Sequence, residues 1–176
     1  GLSASGAPIG IQAGGRLSGK LGGFNVALLD MQTEAAVDGT GQTLAPSNNF
    51  AVARLQRQIG RSTVGAMFVG RHAVGERAAP DDFNRSYGVD LGWQATSNGR
   101  LQAFLARTDS PEASGGTDYS GRVAYLYANN VWSGSAAYTQ VGERFNPEVG
   151  FLRRRAFRSV EGRYNLSYQP VTSRWI

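Results

Sequence analysis

The sequence has no cysteine and a single histidine, and these shortages exclude several classes of site. Without cysteine there is no disulfide framework and no thiolate metal centre. The single histidine, His72, lies in a polar stretch containing Gly, Ala and Pro, so a histidine metal centre or a Ser/His/Asp triad is not expected. We therefore predict no cofactor, no metal site and no catalytic set in this chain.

Long apolar runs and helical stripes are also missing. No run approaches the roughly 18–20 apolar residues of a membrane helix, and apolar residues recur at i, i+3 and i+4 almost nowhere. Helical membrane spans are thereby excluded, but a membrane β-barrel is not, because its signal is spread over alternating strands.

The net charge of +5 comes almost entirely from arginine, since Lys20 is the only lysine. A basic chain raises the hypothesis of nucleic-acid binding. The arginines are dispersed rather than clustered with exposed aromatic residues, apart from the run at 153–158. We therefore expect no nucleic-acid partner.

What the sequence does contain is apolar and polar residues in alternation, with a period of two. In Ser86–Thr96, for example, Tyr87, Val89 and Trp93 fall on one face while Asp90 falls on the other, as in a half-buried strand. The pattern predicts an all-β chain of about nine strands, with a tenth beginning at Arg174: Ile9–Leu21, Phe24–Thr33, Phe50–Ile59, Thr63–Arg71, Ser86–Thr96, Leu101–Thr108, Tyr119–Tyr127, residues 132–139 and Arg155–Gln169.

In one strand, Phe24–Thr33, the sequence does not decide which face is apolar. Phe24, Val26 and Leu28 compete there with Leu29 and Met31. Both faces therefore stay open for this segment.

The predicted connections alternate between short and long. Short links at Gly22–Gly23, 60–62, 97–99 and 129–130 separate longer ones at 34–48, 72–84, 109–118 and 142–150. Most acidic residues lie in the long connections. This rhythm is typical of an antiparallel up-and-down outer-membrane barrel with tight periplasmic turns and larger extracellular loops.

A soluble β-sandwich or a lipocalin-like barrel shows the same alternation, with its apolar face turned inward. Three features favour the membrane arrangement. The polar face is rich in Gly, Ser and single Arg residues, aromatic residues lie near strand ends on the apolar face, and loop lengths alternate. We therefore expect outer-membrane lipid to be the partner of the apolar face and the bacterial outer membrane to be the location.

We expect residues 1–176 to form a partial barrel domain. If the short turns are periplasmic, the strand at Ile9 descends from outside, so at least one strand would precede it. An open sheet would leave unpaired strand edges in lipid, which the bilayer does not tolerate. The sequence therefore predicts an interior slice of a larger barrel.

Charged residues on the predicted polar faces are candidates for lining the barrel interior. They form ion pairs that fill or wet the interior, or they line a path for an anionic or sugar-like solute. The sequence leaves both readings open. The candidates are Arg16, Arg54, Asp90, Arg122, Arg153, Arg155, Glu161 and Arg163.

The phrase FNPEVGF at 145–151 admits two interpretations. Glu148 could pair with Asp109 or Glu112 as the carboxylates of a glycosidase. Alternatively, Asn146 and Pro147 start a structural turn, and Glu148 pairs with Arg153 or Arg155 on the following strand. We expect the structural corner, clamped by the phenylalanines at its two ends.

A calcium site is a weaker hypothesis for the second long connection. Asp81 and Asp82, with Glu76, could supply carboxylate oxygens to Ca²⁺, but the EF-hand spacing is absent.

Four stretches together resemble the C-terminal barrel region of a family of uncharacterised Gram-negative outer-membrane proteins. They are GGRLSGKLGGFNVALLDMQT, NFAVARLQRQIGRSTVGAMFVGR, YGVDLGWQ and ERFNPEVGFLRRRAF. Members of that family usually carry an N-terminal domain similar to family 9 carbohydrate-binding modules. The resemblance implies a surface protein linked to glycan binding or uptake through a domain outside this chain, or in the alternative to glycan processing. Its most distinctive residues are Phe145, Asn146, Pro147, Glu148, Gly150 and Phe151.

Overall fold

The computed structural model describes residues 9–37, 40, 42–75, 78–111, 116–150 and 152–167. Every regular element among them is a β-strand. No helix in the described residues has the length and apolar character needed to cross a membrane. The strands are β1 (Ile11–Leu21), β2 (Phe24–Thr33), β3 (Ala36–Val37), β4 (Thr43–Ala45), β5 (Ser47–Ile59), β6 (Ser62–Val74), β7 (Phe83–Gln94), β8 (Gly99–Asp109), β9 (Tyr119–Ala128), β10 (Trp132–Val141) and β11 (Phe157–Leu166).

Nine of these strands form one antiparallel sheet in the order β1-β2-β5-β6-β7-β8-β9-β10-β11. Each strand pairs with the next long strand along the chain, so the topology is an up-and-down meander. The prediction of an all-β meander is confirmed. Among the described residues, β1 and β11 are the two edges of the sheet and do not pair with each other.

The strand ends differ from the sequence prediction in several places. β5 begins at Ser47 and β6 continues to Val74, because polar residues extend the backbone ladder between these two strands. β3 and β4 form a small separate ribbon inside the first long connection. β11 begins at Phe157 rather than Arg155. Gln169 and the strand predicted from Arg174 lie outside the described residues.

The tight turn between β1 and β2 is made by two consecutive glycines. Gly22 and Gly23 have φ angles of 55° and 82°. Positive φ at both central residues is the requirement of a type I′ turn, whose twist matches that of the flanking strands. Leu21 and Phe24 are paired directly across it.

The register divides the sheet into two chemically distinct faces. Side chains directly opposite each other on neighbouring strands lie on the same face, so the pairing can be followed from strand to strand. One surface, here called the polar face, carries Arg54, Asp90 and Arg122. The other, the apolar face, carries mostly aliphatic and aromatic residues: Leu17, Val26, Leu55, Val64, Tyr87, Val89, Leu91, Trp93, Leu105, Val123, Tyr138, Val160 and Tyr164.

This register also resolves β2, whose faces the sequence left open. Leu28 pairs with Ala53 and lies on the apolar face. Leu29 pairs with Val52 and with Arg16, and it lies on the polar face.

The chain buries few large side chains. Among the described residues, the buried apolar ones are mostly small, Ala73, Ala124, Ala137 and Val141, together with Phe145, and the largest fully buried side chain is Asn84. The chain exposes 12410 Å², against about 8,300 Å² for a compact soluble monomer of this mass. The apolar face therefore has no covering layer within the described part of the chain.

Candidate functional site

Ion pairs cross the polar face from strand to strand. Arg54 on β5 and Asp90 on β7 form a bidentate ion pair. Arg54 Nη1 donates to Asp90 Oδ2, and Arg54 Nη2 donates to Asp90 Oδ1 at 3.0 Å. Gly65 lies between them on β6, and a Cβ there would come within 2.6 Å of Arg54 Nη2. The glycine therefore leaves the space through which the pair bridges its neighbouring strands.

A second bridge joins β9 to β11. Arg122 donates through Nη1 to Glu161 Oε1 at 3.1 Å and through Nη2 to Glu161 Oε2 at 3.4 Å. Nη1 also donates to Thr139 Oγ1 on β10 at 2.9 Å. Both bridges span three strands, so each links the side chains of two strands that are not direct neighbours.

The structure divides the predicted interior residues into two groups. Arg16, Arg54, Asp90, Arg122, Glu161 and Arg163 lie on the polar face. Arg153 and Arg155 do not, because they precede β11 and belong to the connection 142–156. Their predicted place on a strand face was wrong, since residues 153–155 do not pair in the sheet.

The fourth long connection folds back onto the polar face. Its residues Phe145–Gly150, here called the FNPEVG segment, lie over β5, β6, β7 and β8. Phe145 is 7% exposed. It borders an apolar hollow of about 350 Å³ between the segment and the sheet, lined by Val52, Met67, Val69, Ala106, Pro147 and Val149.

Two buried polar side chains of the sheet hold the backbone of the FNPEVG segment. Asn84, which is 1% exposed, donates through Nδ2 to the Asn146 carbonyl at 2.8 Å and accepts the Glu148 amide at 3.3 Å. Thr108 Oγ1 accepts the Asn146 amide at 3.0 Å. The segment closes with a turn in which the Gly150 amide donates to the Pro147 carbonyl at 3.0 Å.

Arg71 on β6 fixes the charged end of the segment. Its Nε donates to Glu148 Oε2 at 2.6 Å and its Nη2 to Asp82 Oδ1 at 2.6 Å. Its Nη1 donates to Asn48 Oδ1 at 2.9 Å. The Arg71 side chain is only 16% exposed, so one guanidinium links two long connections to the sheet.

These contacts correct the predicted corner. Glu148 pairs with Arg71, not with Arg153 or Arg155, and Arg155 instead donates to the side-chain oxygen of Asn146. Phe145 packs against the sheet. Phe151 lies outside the described residues. The sequence prediction failed because it sought a partner on the next strand, whereas the segment reaches back 77 residues to Arg71.

A cleft of about 510 Å³ opens where this cluster meets the loops. Its lining includes Arg71, Asp82, Glu148, Ser110 and Pro111. Arg71 pairs with Asp82 and Glu148 and partly neutralises their charge. The cleft therefore presents carboxylate oxygens as hydrogen-bond acceptors without a large net negative charge.

Of the two glycosidase pairs considered, Asp109 and Glu148 are not brought together, whereas the pair with Glu112 and the calcium site with Glu76 stay hypotheses. Asp109 pairs with Arg85 in register and lies on the apolar face, opposite to the face that carries Glu148. Glu112 and Glu76 lie outside the described residues. Within the part of the chain that is described, no three His, Asp or Glu residues group together as metal ligands.

On the apolar face, aromatic and charged residues lie towards the ends of the strands. Tyr127, Trp132 and Tyr164 form a row across β9, β10 and β11 beside the short turns, with ring centroids 4.3 Å and 6.0 Å apart. Charged residues on this face lie near strand ends. They are Asp30, Arg57, Arg85, Arg107, Asp109 and Arg158.

Comparison with protein-family models, with curated proteins and with solved structures finds no match for this chain.

Proposed function

We propose that the nine-stranded sheet is part of the wall of a bacterial outer-membrane β-barrel. The apolar face contacts lipid and the polar face borders the interior. The observation that carries this proposal is the exposed apolar face: its middle has no charged residue among the described strands, and aromatic residues flank it. This is the pattern of a barrel whose outer band is bounded by aromatic girdles.

The length of the strands supports the same proposal. Tyr119 to Tyr127 spans eight residue steps, or about 26 Å at ~3.3 Å per residue. Tilted by about 40°, that length projects to about 20 Å, close to the ~25 Å apolar band of such barrels.

The FNPEVG segment then has a role inside the barrel. Because it lies over the polar face and is held by Asn84, Thr108 and Arg71, it narrows the interior near the long-loop end. Such a barrel serves passage or surface anchoring rather than catalysis in this segment. The association with glycan binding or uptake rests on the family resemblance and would act through a domain outside this chain.

Two adjacent leucines on β2 offer a matched test. Leu28 is 44% exposed on the apolar face and Leu29 is 36% exposed on the polar face. We expect Leu28→Arg to lower the free energy of unfolding from lipid vesicles by about 2–4 kcal/mol, because the charge meets hydrocarbon. Leu29→Arg should cost less than about 1 kcal/mol.

Folding is measured from heat-modifiable migration in detergent gels and from urea titration in vesicles. Equal costs for the two variants, or full solubility of the protein without detergent, would refute the assignment of the apolar face to lipid.

A further inference from the structure

Arg100, a basic residue that the sequence analysis did not select, lies on the polar face. Its strand, β8, is an inner strand of the sheet, and along that strand Arg100 is next to the short turn. It follows the Asn98-Gly99 turn and pairs in register with Gln94 on β7 and Leu126 on β9. Its guanidinium extends over Gly92, where a Cβ would come within 3.0 Å of Nη2. The missing side chain at Gly92 therefore leaves room for this cation.

Arg100 differs in its ion pairing from three other arginines of this face. Arg54, Arg71 and Arg122 each form a salt bridge to a carboxylate. Within the described residues, neither Arg100 nor Arg163 forms a salt bridge. The face also has few acids to balance them, since its described strand residues include only Asp90 and Glu161, both already paired.

Arg100 and Arg163 share one row of the sheet, and the acid nearest to Arg163 on this face, Glu161, interacts with it but forms its salt bridge with Arg122. Arg100 pairs with Leu126, Leu126 with Ser135, and Ser135 with Arg163. Three strand spacings of about 4.8 Å place the two Cα atoms about 14 Å apart. Their long side chains border a shared hollow of about 350 Å³, together with Ser133, Ser135 and Asn165.

Arg100 also lines a second hollow of about 350 Å³, whose polar lining is Gln56, Thr63, Gln102, Arg122 and Asp90, the last neutralised by its salt bridge to Arg54. The two hollows thus adjoin at one cation. Guanidinium, hydroxyl and amide groups are the donors that bind carboxylate, sulfate and phosphate oxygens.

We propose that this groove, formed by Arg100, Arg163 and the hydroxyl and amide groups around them, attracts solutes bearing carboxylate, sulfate or phosphate groups. The inference rests on the proposed function, because it takes the polar face to border a water-filled interior. Cations that exceed the acids along a wall raise the local concentration of anions.

Charged thiol reagents test the groove directly, whether or not the barrel conducts. Because the chain has no cysteine, Ser135→Cys introduces a single thiol between Arg100 and Arg163. We expect 2-sulfonatoethyl methanethiosulfonate to modify it about tenfold faster than the trimethylammonium reagent, after each rate is divided by that for a free thiol in solution. Arg100→Gln should reduce the ratio to about threefold, and added salt should reduce it further.

Arg57→Gln is the matched control. It removes the same charge near the short turns, but Arg57 lies on the apolar face over the Phe24 ring, so the ratio should not change. Ser133→Cys lines the same hollow and replaces Ser135→Cys if that variant does not fold.

Equal rates, a faster cationic reagent, or no reaction with either reagent at a folded site would overturn the anion groove. These outcomes are separable from failure of the membrane assignment. If the Leu28 and Leu29 variants behave alike while the anionic preference persists, the wall proposal fails and the basic groove stands.

Discussion

At the scale of the residue, Asn84 is the side chain on which the FNPEVG segment most depends. Its amide donates one hydrogen bond to the segment's backbone and accepts another from it, and within the described part of the chain no larger side chain is fully buried. A buried amide of this kind specifies one position of a loop, because any shift leaves a polar group without a partner.

We predict that Asn84→Ala lowers the free energy of unfolding by about 2 kcal/mol, because the Asn146 carbonyl and the Glu148 amide both lose their partner. Urea titration of the protein in detergent micelles measures the change. Asn25→Ala is the control: Asn25 is an exposed asparagine of the same face, and its loss should change stability by less than about 0.5 kcal/mol. Similar effects for both variants would mean that Asn84 does not anchor the segment.

At the scale of the element, the ion pair across β6 shows how a small residue in one strand supports its neighbours. The Arg54–Asp90 pair bridges β5 and β7 only because Gly65 presents no side chain between them. The residue at one position of β6 therefore determines whether an ion pair can form between the two strands beside it.

Gly65→Ala should therefore lower the free energy of unfolding by about 1–2 kcal/mol, since its methyl group displaces the pair. Gly19→Ala, at a β1 position where an added Cβ meets nothing within 4 Å, should change it by less than about 0.5 kcal/mol. Chemical denaturation provides both values. In an Arg54→Ala background the cost of Gly65→Ala should shrink, and an unchanged cost would show that the glycine does not serve the ion pair.

Most of the elements could be predicted from the sequence because alternation with a period of two is a local signal. It identified β2 as Phe24–Thr33 without error, along with the position of every other strand of the meander. It could not decide the faces of β2, because both Leu28 and Leu29 are apolar and only pairing with β5 separates them.

The site was less predictable because its contacts join distant parts of the chain. Arg71 and Glu148, or Asn84 and Asn146, carry no common sequence signal. Arg100 could have been found, since it shares parity with Gln102 in β8. It was missed because the predicted strand began at Leu101.

At the scale of the whole molecule, the chemical difference between the two faces of the sheet favours a place in a membrane. An exposed apolar surface larger than a few hundred Å² is rare on a soluble monomer, whereas a membrane wall requires one. The polar face, with its bridges and its inserted segment, already has the contacts expected of an interior. The link to glycans, which rests on a sequence resemblance, stays a prediction.

The assignment of the apolar face to lipid is tested most directly with spin labels attached to Leu28→Cys and Leu29→Cys in lipid vesicles. The measurement is the accessibility of each label to a lipid-soluble and to a water-soluble relaxation agent. If the apolar face contacts lipid, the label at position 28 collides with lipid-soluble oxygen and not with a water-soluble nickel complex, and the label at position 29 shows the reverse. Water exposure at position 28, or the same environment at both positions, would contradict it.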